Sequence, residues 1–243
     1  MNDAPEISIV APCHNERDNL APLAEAVRRA MEPLGRGYEM VFVDDGSSDG
    51  TWEALRQLGE QDRRIRALRF GANSGQSAAL WAGIRAARGS IVVTLDADLQ
   101  NPPAEIPRLL DALQNADCVC GDRTAARAGG DSLGRIISAR IANGVRNRMV
   151  DETMIDAGCC FRAFRRDCVA GVKFFQGGHR FLPTLIKMEG FRVTELPIGH
   201  HPRRTGRSHY GVWNRLFKSS ADLLAVRWMK KRMIKYEVAE RLN

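Results

Sequence analysis

Hydrophobic positions in the first half of the chain follow two alternating periods. Short runs at residues 7–11, 38–43, 65–70, 91–95 and 118–120 are dense in Ile, Val, Leu, Phe and Cys and read as strands. Between them, apolar residues recur every three or four positions. The stretch 18–31 carries Leu20, Leu23, Ala24 and Val27, and 48–58, 77–87 and 105–113 are read as helices too. Pro33 and Gly35 end the first. Ser48 or Asp49 caps the second, with Glu53 in its first turn. Gly89 follows the third, and Pro102 and Pro103 precede the fourth. Strand and helix alternating at this spacing predict an α/β fold, a mostly parallel sheet with helices on both faces.

The second half is less regular. Residues 125–131 are small and polar and read as a loop, and 133–149 as an amphipathic helix. Strands are expected at 159–164 and 191–198 around a helix at 180–189. A basic loop spans 200–210, and a basic helix is expected over 213–236. No repeat or low-complexity tract interrupts the pattern. The length of 243 residues allows one α/β domain plus an appendage. We divide the chain into a catalytic domain at 1–210 and a basic amphipathic tail at 211–243.

Charge changes the picture only at that tail. The net charge is +7, but from Arg203 onward eleven Lys or Arg face three acids, while the rest holds 25 Lys or Arg against 26 acids. Tail residues Trp213, Leu216, Phe217, Leu223, Leu224, Trp228, Met229, Met233 and Ile234 interleave with Lys218, Arg227, Lys230, Lys231, Arg232 and Lys235. Tryptophan beside cations on a helix suits an anionic membrane surface, and the alternative is packing on the catalytic domain or on a second copy, so a homo-oligomer stays open. A nucleic-acid partner is not expected, because these cations accompany apolar side chains rather than a stacking platform. The six cysteines form no C-x-x-C pair, which predicts buried, reduced thiols in a cytosolic protein. Neither a secretory leader nor a spanning helix is expected, which places the chain as cytoplasmic and peripheral on the inner face of a membrane.

Polar clusters follow four of the predicted strands: His14-Asn15-Glu16, Asp44-Asp45, Asp96 to Gln100, and Gly121-Asp122-Arg123. Ligands of parallel α/β sheets bind beyond the carboxyl ends of the strands, so these clusters mark the expected site. Neither G-x-G-x-x-G nor G-x-x-x-x-G-K-[ST] is present, so a bound nucleotide needs another charge partner. In Asp96-Ala97-Asp98 the two carboxylates sit two apart and point the same way, and they repel unless a cation or a proton lies between them. A divalent ion with positions open to diphosphate oxygens answers that, with Gln100 as a neutral ligand. An isolated D-x-D is as readily a capped turn, and it is the neighbouring acidic strand ends that favour a metal here. His200 and His201 lack a partner at metal-ligand spacing and read as loop residues. His179 fits either an acceptor site or a loop, and Phe174 and Phe175 read as packing.

Seven stretches in order, VAPCHNERDNL, VFVDDGSSDGTW, NSGQSAALWAGIRAARG, TLDADLQNPP, GDR, DAGCCFRAFRRD and GFRVTELPIGHHPRRTGRS, resemble a family 2 glycosyltransferase of the GT-A fold. They cover about residues 7–208. More narrowly, the chain is similar to dolichol-phosphate mannose synthase and the bacterial polyprenyl-phosphate glycosyltransferases. The resemblance implies that Pro12, His14, Glu16, Val43 and Asp45 border the nucleoside. It implies that Asp96, Ala97 and Asp98 surround the sugar diphosphate and its Mg²⁺ or Mn²⁺, with Gln100 a further ligand. Arg123, Arg166, Arg203 and His209 would meet the diphosphate. Asp156 would lie nearest the acceptor, as base or orienting group, and with Asp98 would be catalytic. The implied activity is inverting, metal-dependent transfer of a UDP- or GDP-linked sugar to a polyprenyl phosphate or another membrane lipid. The alternatives are a saccharide or sphingolipid-like headgroup as acceptor, and a nucleotide-sugar-binding protein without turnover.

Overall fold

The computed structural model describes residues 4–127, 133–201, 212–234 and 239–240. Seven strands form one sheet: β1 (Ile7–Cys13), β2 (Tyr38–Asp44), β3 (Ile65–Arg69), β4 (Ile91–Thr94), β5 (Cys118–Asp122), β6 (Arg162–Arg165) and β7 (Val193–Pro197). Their spatial order is β3-β2-β1-β4-β6-β5-β7. The first four run parallel. Only β6 is reversed, antiparallel to β4 and to β5, while β5 and β7 are parallel. The sheet is therefore mixed and mostly parallel, as the GT-A expectation requires. The reversal also brings the amino end of β6, Arg162, to the edge where β4 ends at Thr94.

Helices cover both faces: α1 (Arg17–Met31), α2 (Thr51–Gln61), α3 (Gln76–Ala86), α4 (Ile106–Ala112), α5 (Thr124–Arg127), α6 (Leu133–Val150), α7 (Leu182–Met188) and α8 (Val212–Lys231). The period of two along β1 divides the core. Ile7, Ile9 and Ala11 join one cluster with Leu20, Leu23 and Val27 of α1 and Leu109 of α4. Val10 enters the other with Leu80 and Ile84 of α3, Leu182 of α7 and Val226 of α8. Strand β2 is buried throughout, which explains its unbroken apolar run. All six cysteines are buried free thiols.

Several element ends differ from expectation, each for a local reason. The second helix starts at Thr51 rather than Ser48, because Asp49 Oδ1 accepts from Thr51 N and the Asp49-Gly50 turn precedes the helix. The strand expected over 159–164 occupies Arg162–Arg165, and the helix expected over 180–189 follows a 3₁₀ turn and occupies Leu182–Met188. Helix α8 packs on α6: Val226 is buried, Leu223 and Met229 are partly buried, and Lys230 Nζ donates to the Val150 and Asp151 carbonyls at the end of α6.

Candidate active site

The carboxyl edges of β1, β2 and β4 lie side by side, and each ends in a polar turn. After β1, His14 Nδ1 lies 2.9 Å from the Asp45 carbonyl oxygen. Asn15, at φ 55°, accepts from Ser48 N through its side chain, and its own N–H donates to Ser47. Glu16 accepts from the Asn19 side-chain amide. After β2, both Asp45 oxygens are taken by backbone donors, Ser74 N at 2.6 Å and Gly75 N at 2.9 Å. Asp45 thereby ties down the loop leading into α3. Gly46, at φ 68°, is pressed so close to the Ala72-Asn73 backbone that a side chain there would clash. Gly46, Ser47, Arg69, Phe70 and Gly71 line a hollow at this end. Pro12 is half-buried beside it. Val43, expected to border the nucleoside, is fully buried between β1 and β3 with its side chain toward Gly83 of α3, and it presents no surface to a ligand.

After β4 the chain makes the Asp96 to Gln100 turn. Leu99 adopts φ 60°, a left-handed conformation unusual for a branched side chain, and this brings Gln100 N back to Asp98 Oδ1 at 3.1 Å. Asp98 thus caps its own turn while presenting a carboxylate two residues from Asp96. Ala97, between them, is buried. Gln76 Nε2, at the start of α3, donates to Asp96 Oδ1 at 2.9 Å. Burial pushes the Asp96 carboxyl upward, and the Asp98 charge pushes it further, only partly offset by Arg123 and Arg162. That repulsion is what a cation relieves. Two carboxylates and an amide oxygen are hard donors suited to Mg²⁺ or Mn²⁺. Among the described residues no group of three or more His, Cys, Asp or Glu converges, so remaining coordination positions would fall to diphosphate oxygens and water.

Facing this turn from beyond β5, Arg123 and Asp156 form a bidentate pair, Nε to Oδ2 at 2.7 Å and Nη2 to Oδ1 at 3.1 Å, and Arg123 N also donates to Oδ2. Burial alone raises the Asp156 pKa, but the Arg123 hydrogen bonds and charge more than offset it and hold the carboxyl below its ordinary value. Burial opposes the Arg123 charge, and Asp156 prevails, raising its pKa above normal. Asp156 is held in turn by Glu195 of β7, which accepts from Asp156 N at 2.9 Å. The His200-His201 loop comes back to the metal-side turn: His201 N donates to the Gln100 carbonyl at 2.8 Å and closes that turn from the outside.

The structure thus gathers Pro12, His14, Glu16, Asp45, Asp96, Ala97, Asp98, Gln100, Arg123 and Asp156 along one edge. Arg166 is a correction. It is exposed at the opposite edge, where its N–H donates to Ser90 O and its guanidinium to the Ala87 and Arg88 carbonyls. Strand β6 is reversed, so each residue along it leads away from the site, and four residues amount to about 13 Å. Arg203 and His209 lie outside the described residues. The arginine at the site edge is instead Arg162, which is fully buried. Its Nη1 donates to His179 O at 2.8 Å and its Nη2 to Ala157 O at 3.2 Å. The available sequence clue was an arginine set among Phe161, Ala163 and Phe164 in an otherwise buried strand. His179 Nδ1 lies 2.6 Å from Ser77 Oγ, so its loop packs against the start of α3.

Comparison with known proteins bears on the family and the fold. The model of Glycosyl transferase family 2 matches residues 8–171. The chain is 38% identical over 207 residues to the undecaprenyl-phosphate 4-deoxy-4-formamido-L-arabinose transferase of Edwardsiella ictaluri, covering 85% of this chain and 63% of that protein. It is 37% identical over 220 residues to the protein of the same name from Photorhabdus laumondii, covering 90% and 67%. The chain therefore spans about two thirds of the length of these relatives. Among solved structures, it resembles the mannosyltransferase PcManGT of Pyrobaculum calidifontis in complex with GDP-Man and Mn²⁺, with a TM-score of 0.64, 21% identity, and coverage of 96% of this chain and 66% of that one. Glucosyl-3-phosphoglycerate synthase of Mycobacterium tuberculosis with Mn²⁺, UDP-glucose and phosphoglyceric acid gives 0.65, 19%, 95% and 81%. At such identities these two establish the GT-A fold alone. The matched family model and the identity to the curated relatives establish membership: the chain belongs to glycosyltransferase family 2.

Proposed function

We propose that this protein transfers a sugar from a UDP- or GDP-linked donor to a polyprenyl phosphate at the inner face of a membrane, with inversion and with a divalent cation. The observation that carries this reading is the Asp96-Asp98-Gln100 turn facing the Arg123–Asp156 pair across one sheet edge. Asp96, Asp98 and Gln100 would hold Mg²⁺ or Mn²⁺, which neutralises the charge developing on the departing nucleoside diphosphate. Arg123 supplies a fixed guanidinium beside the same phosphates. His14, Glu16 and Asp45 border the nucleoside. The curated relatives are named for transfer to undecaprenyl phosphate, and a phosphate acceptor is already an anion that needs positioning rather than deprotonation. Asp156, held below the ordinary carboxylate value, suits that chemistry as an orienting group for Arg123 rather than as a base.

The test is an incubation of the full chain with labelled UDP- and GDP-sugars, Mn²⁺ and polyprenyl phosphate. Label is expected in the lipid fraction, lost with chelator and lost in Asp98→Asn. No lipid-linked label with any donor, or activity that survives chelation, overturns the proposal.

A further inference from the structure

Arg162 is the largest fully buried side chain in the described structure, and among the described residues it makes no hydrogen bond or ion pair to a carboxylate. A buried cation is costly to desolvate, and its Nε has no hydrogen-bond partner. What the guanidinium holds is two backbone carbonyls. One is Ala157 O, the residue after Asp156, and the other is His179 O. His179 in turn meets Ser77, and Gln76, the preceding residue, donates to Asp96. The links form a chain along the site: Asp96, Gln76-Ser77, His179, Arg162, Ala157-Asp156. The nucleoside edge also has bonds of its own, Ser74 N and Gly75 N to Asp45, Asn15 N to Ser47 and Ser48 N to Asn15, and it meets the His179 loop where Gln176 Nε2 donates to Ser74 O.

We propose that Arg162 is a positioning residue for transfer, whose planar fork holds the Asp156 segment and the His179 loop in register on either side of the Asp96-Asp98 turn. This rests on the transferase reading above. A lysine in its place reaches one carbonyl but cannot span both, because it lacks the fork. Displacing either segment misplaces acceptor-side groups, while the bonds to Asp45 and Asn15 still hold the nucleoside edge. The expected signature is a loss in kcat with little change in donor KM, since misplacement of about 1 Å can cost about a hundredfold in rate.

The experiment compares the full-length wild type with Arg162→Lys, Arg162→Met and Ser77→Ala, measuring donor KM and kcat for transfer to polyprenyl phosphate in saturating Mn²⁺. Arg162→Lys is expected to keep donor KM within about threefold while kcat falls about tenfold or more, with Arg162→Met lower still. Ser77→Ala, which cuts the same chain of links at His179, is expected to lower kcat in the same selective way. Unchanged kcat in Arg162→Lys, or a parallel loss of donor binding and kcat, overturns the proposal. If the Arg162 variants do not fold, wild-type kcat in Ser77→Ala overturns it. A wild type without transfer to any acceptor sinks the transferase reading, whereas an active wild type matched by its variants sinks this inference alone.

Discussion

Asp156 and Arg123 illustrate how a single pair limits the chemistry open to it. A general base works best with a pKa near the operating pH, and Asp156 lies below even the ordinary carboxylate value. Its two oxygens are also occupied by Arg123. If Asp156 acts by orienting Arg123, removing either residue removes the same effect. Asp156→Asn and Arg123→Met should each lower kcat/KM about a hundredfold, and the double variant should be little worse than either. Multiplying losses would show that the two act separately. The pair also bears on stability. Because the folded pKa of Asp156 is depressed, its contribution is fully present above about pH 4 and is lost as pH falls through the lowered value. Asp156→Asn should therefore melt below wild type at pH 7, by about 2 kcal/mol or more, with the gap closing in strong acid. A gap that persists in acid would assign the loss to packing. At this scale the strand ends brought Asp96, Asp98 and Arg123 together, and the resemblance to family 2 glycosyltransferases added Asp156. The sequence could not show that Arg123 and Asp156 are bound to each other, since 33 residues separate them. The resemblance implied Arg166 at the diphosphate, whereas the reversed direction of β6, set by its pairing partners, carries Arg166 away and leaves Arg162 at that edge.

The elements were more legible than the contacts between them. Strands β1, β2 and β4 announce themselves by aliphatic runs, and α1 by the spacing of Leu20, Leu23 and Val27. The ends were less so: Asp49 delays α2 through a hydrogen bond to Thr51 that the apolar period does not record. Helix α3 shows why close packing matters for the site. It carries Gln76 and Ser77 at its start, and farther along Gly83 lies against β1 and β2, where an added Cβ would come within 2.4 Å of Val10 Cγ1 and 3.1 Å of Val43 Cγ2. Gly83→Ala must push the helix off the sheet or force those valines aside. We expect a loss of about 1–3 kcal/mol, read as a lower melting temperature, together with weaker activity because Gln76 and Ser77 move with the helix. Unchanged melting would mean that the sheet absorbs the methyl group without strain.

At the scale of the whole molecule, the question left open by the sequence was whether the basic tail meets a membrane or the protein itself. The two faces of α8 differ. Leu223, Val226 and Met229 turn toward the body, while Leu224 is 57% exposed and Trp228 63%. Its neighbour α6 likewise exposes Ile141 and Val145, one turn apart. No acid occurs between residues 132 and 150 or between 223 and 236; of the nine Lys or Arg in those stretches Arg146 is buried against Glu152, and Arg140, Arg148, Arg227, Lys230, Lys231 and Arg232 lie at least partly exposed. Two copies meeting through this surface would bring like charges together, whereas anionic lipid complements them and accepts the apolar side chains. Among the described residues no helix is long and apolar enough to cross a bilayer, so contact through these helices would be at the surface. On this argument the full chain should bind vesicles containing phosphatidylglycerol, and more weakly in high salt or on phosphatidylcholine alone. Replacing Leu224 and Trp228 together by serine should reduce that binding about tenfold or more, given about 1.5–3 kcal/mol for each large apolar side chain buried. Transfer to a short-chain acceptor in detergent should be unaffected if this face serves membrane contact alone. Equal binding by the double variant would remove this face from the membrane contact, and a wild-type dimer that the same substitutions convert to monomer would assign it to a second copy.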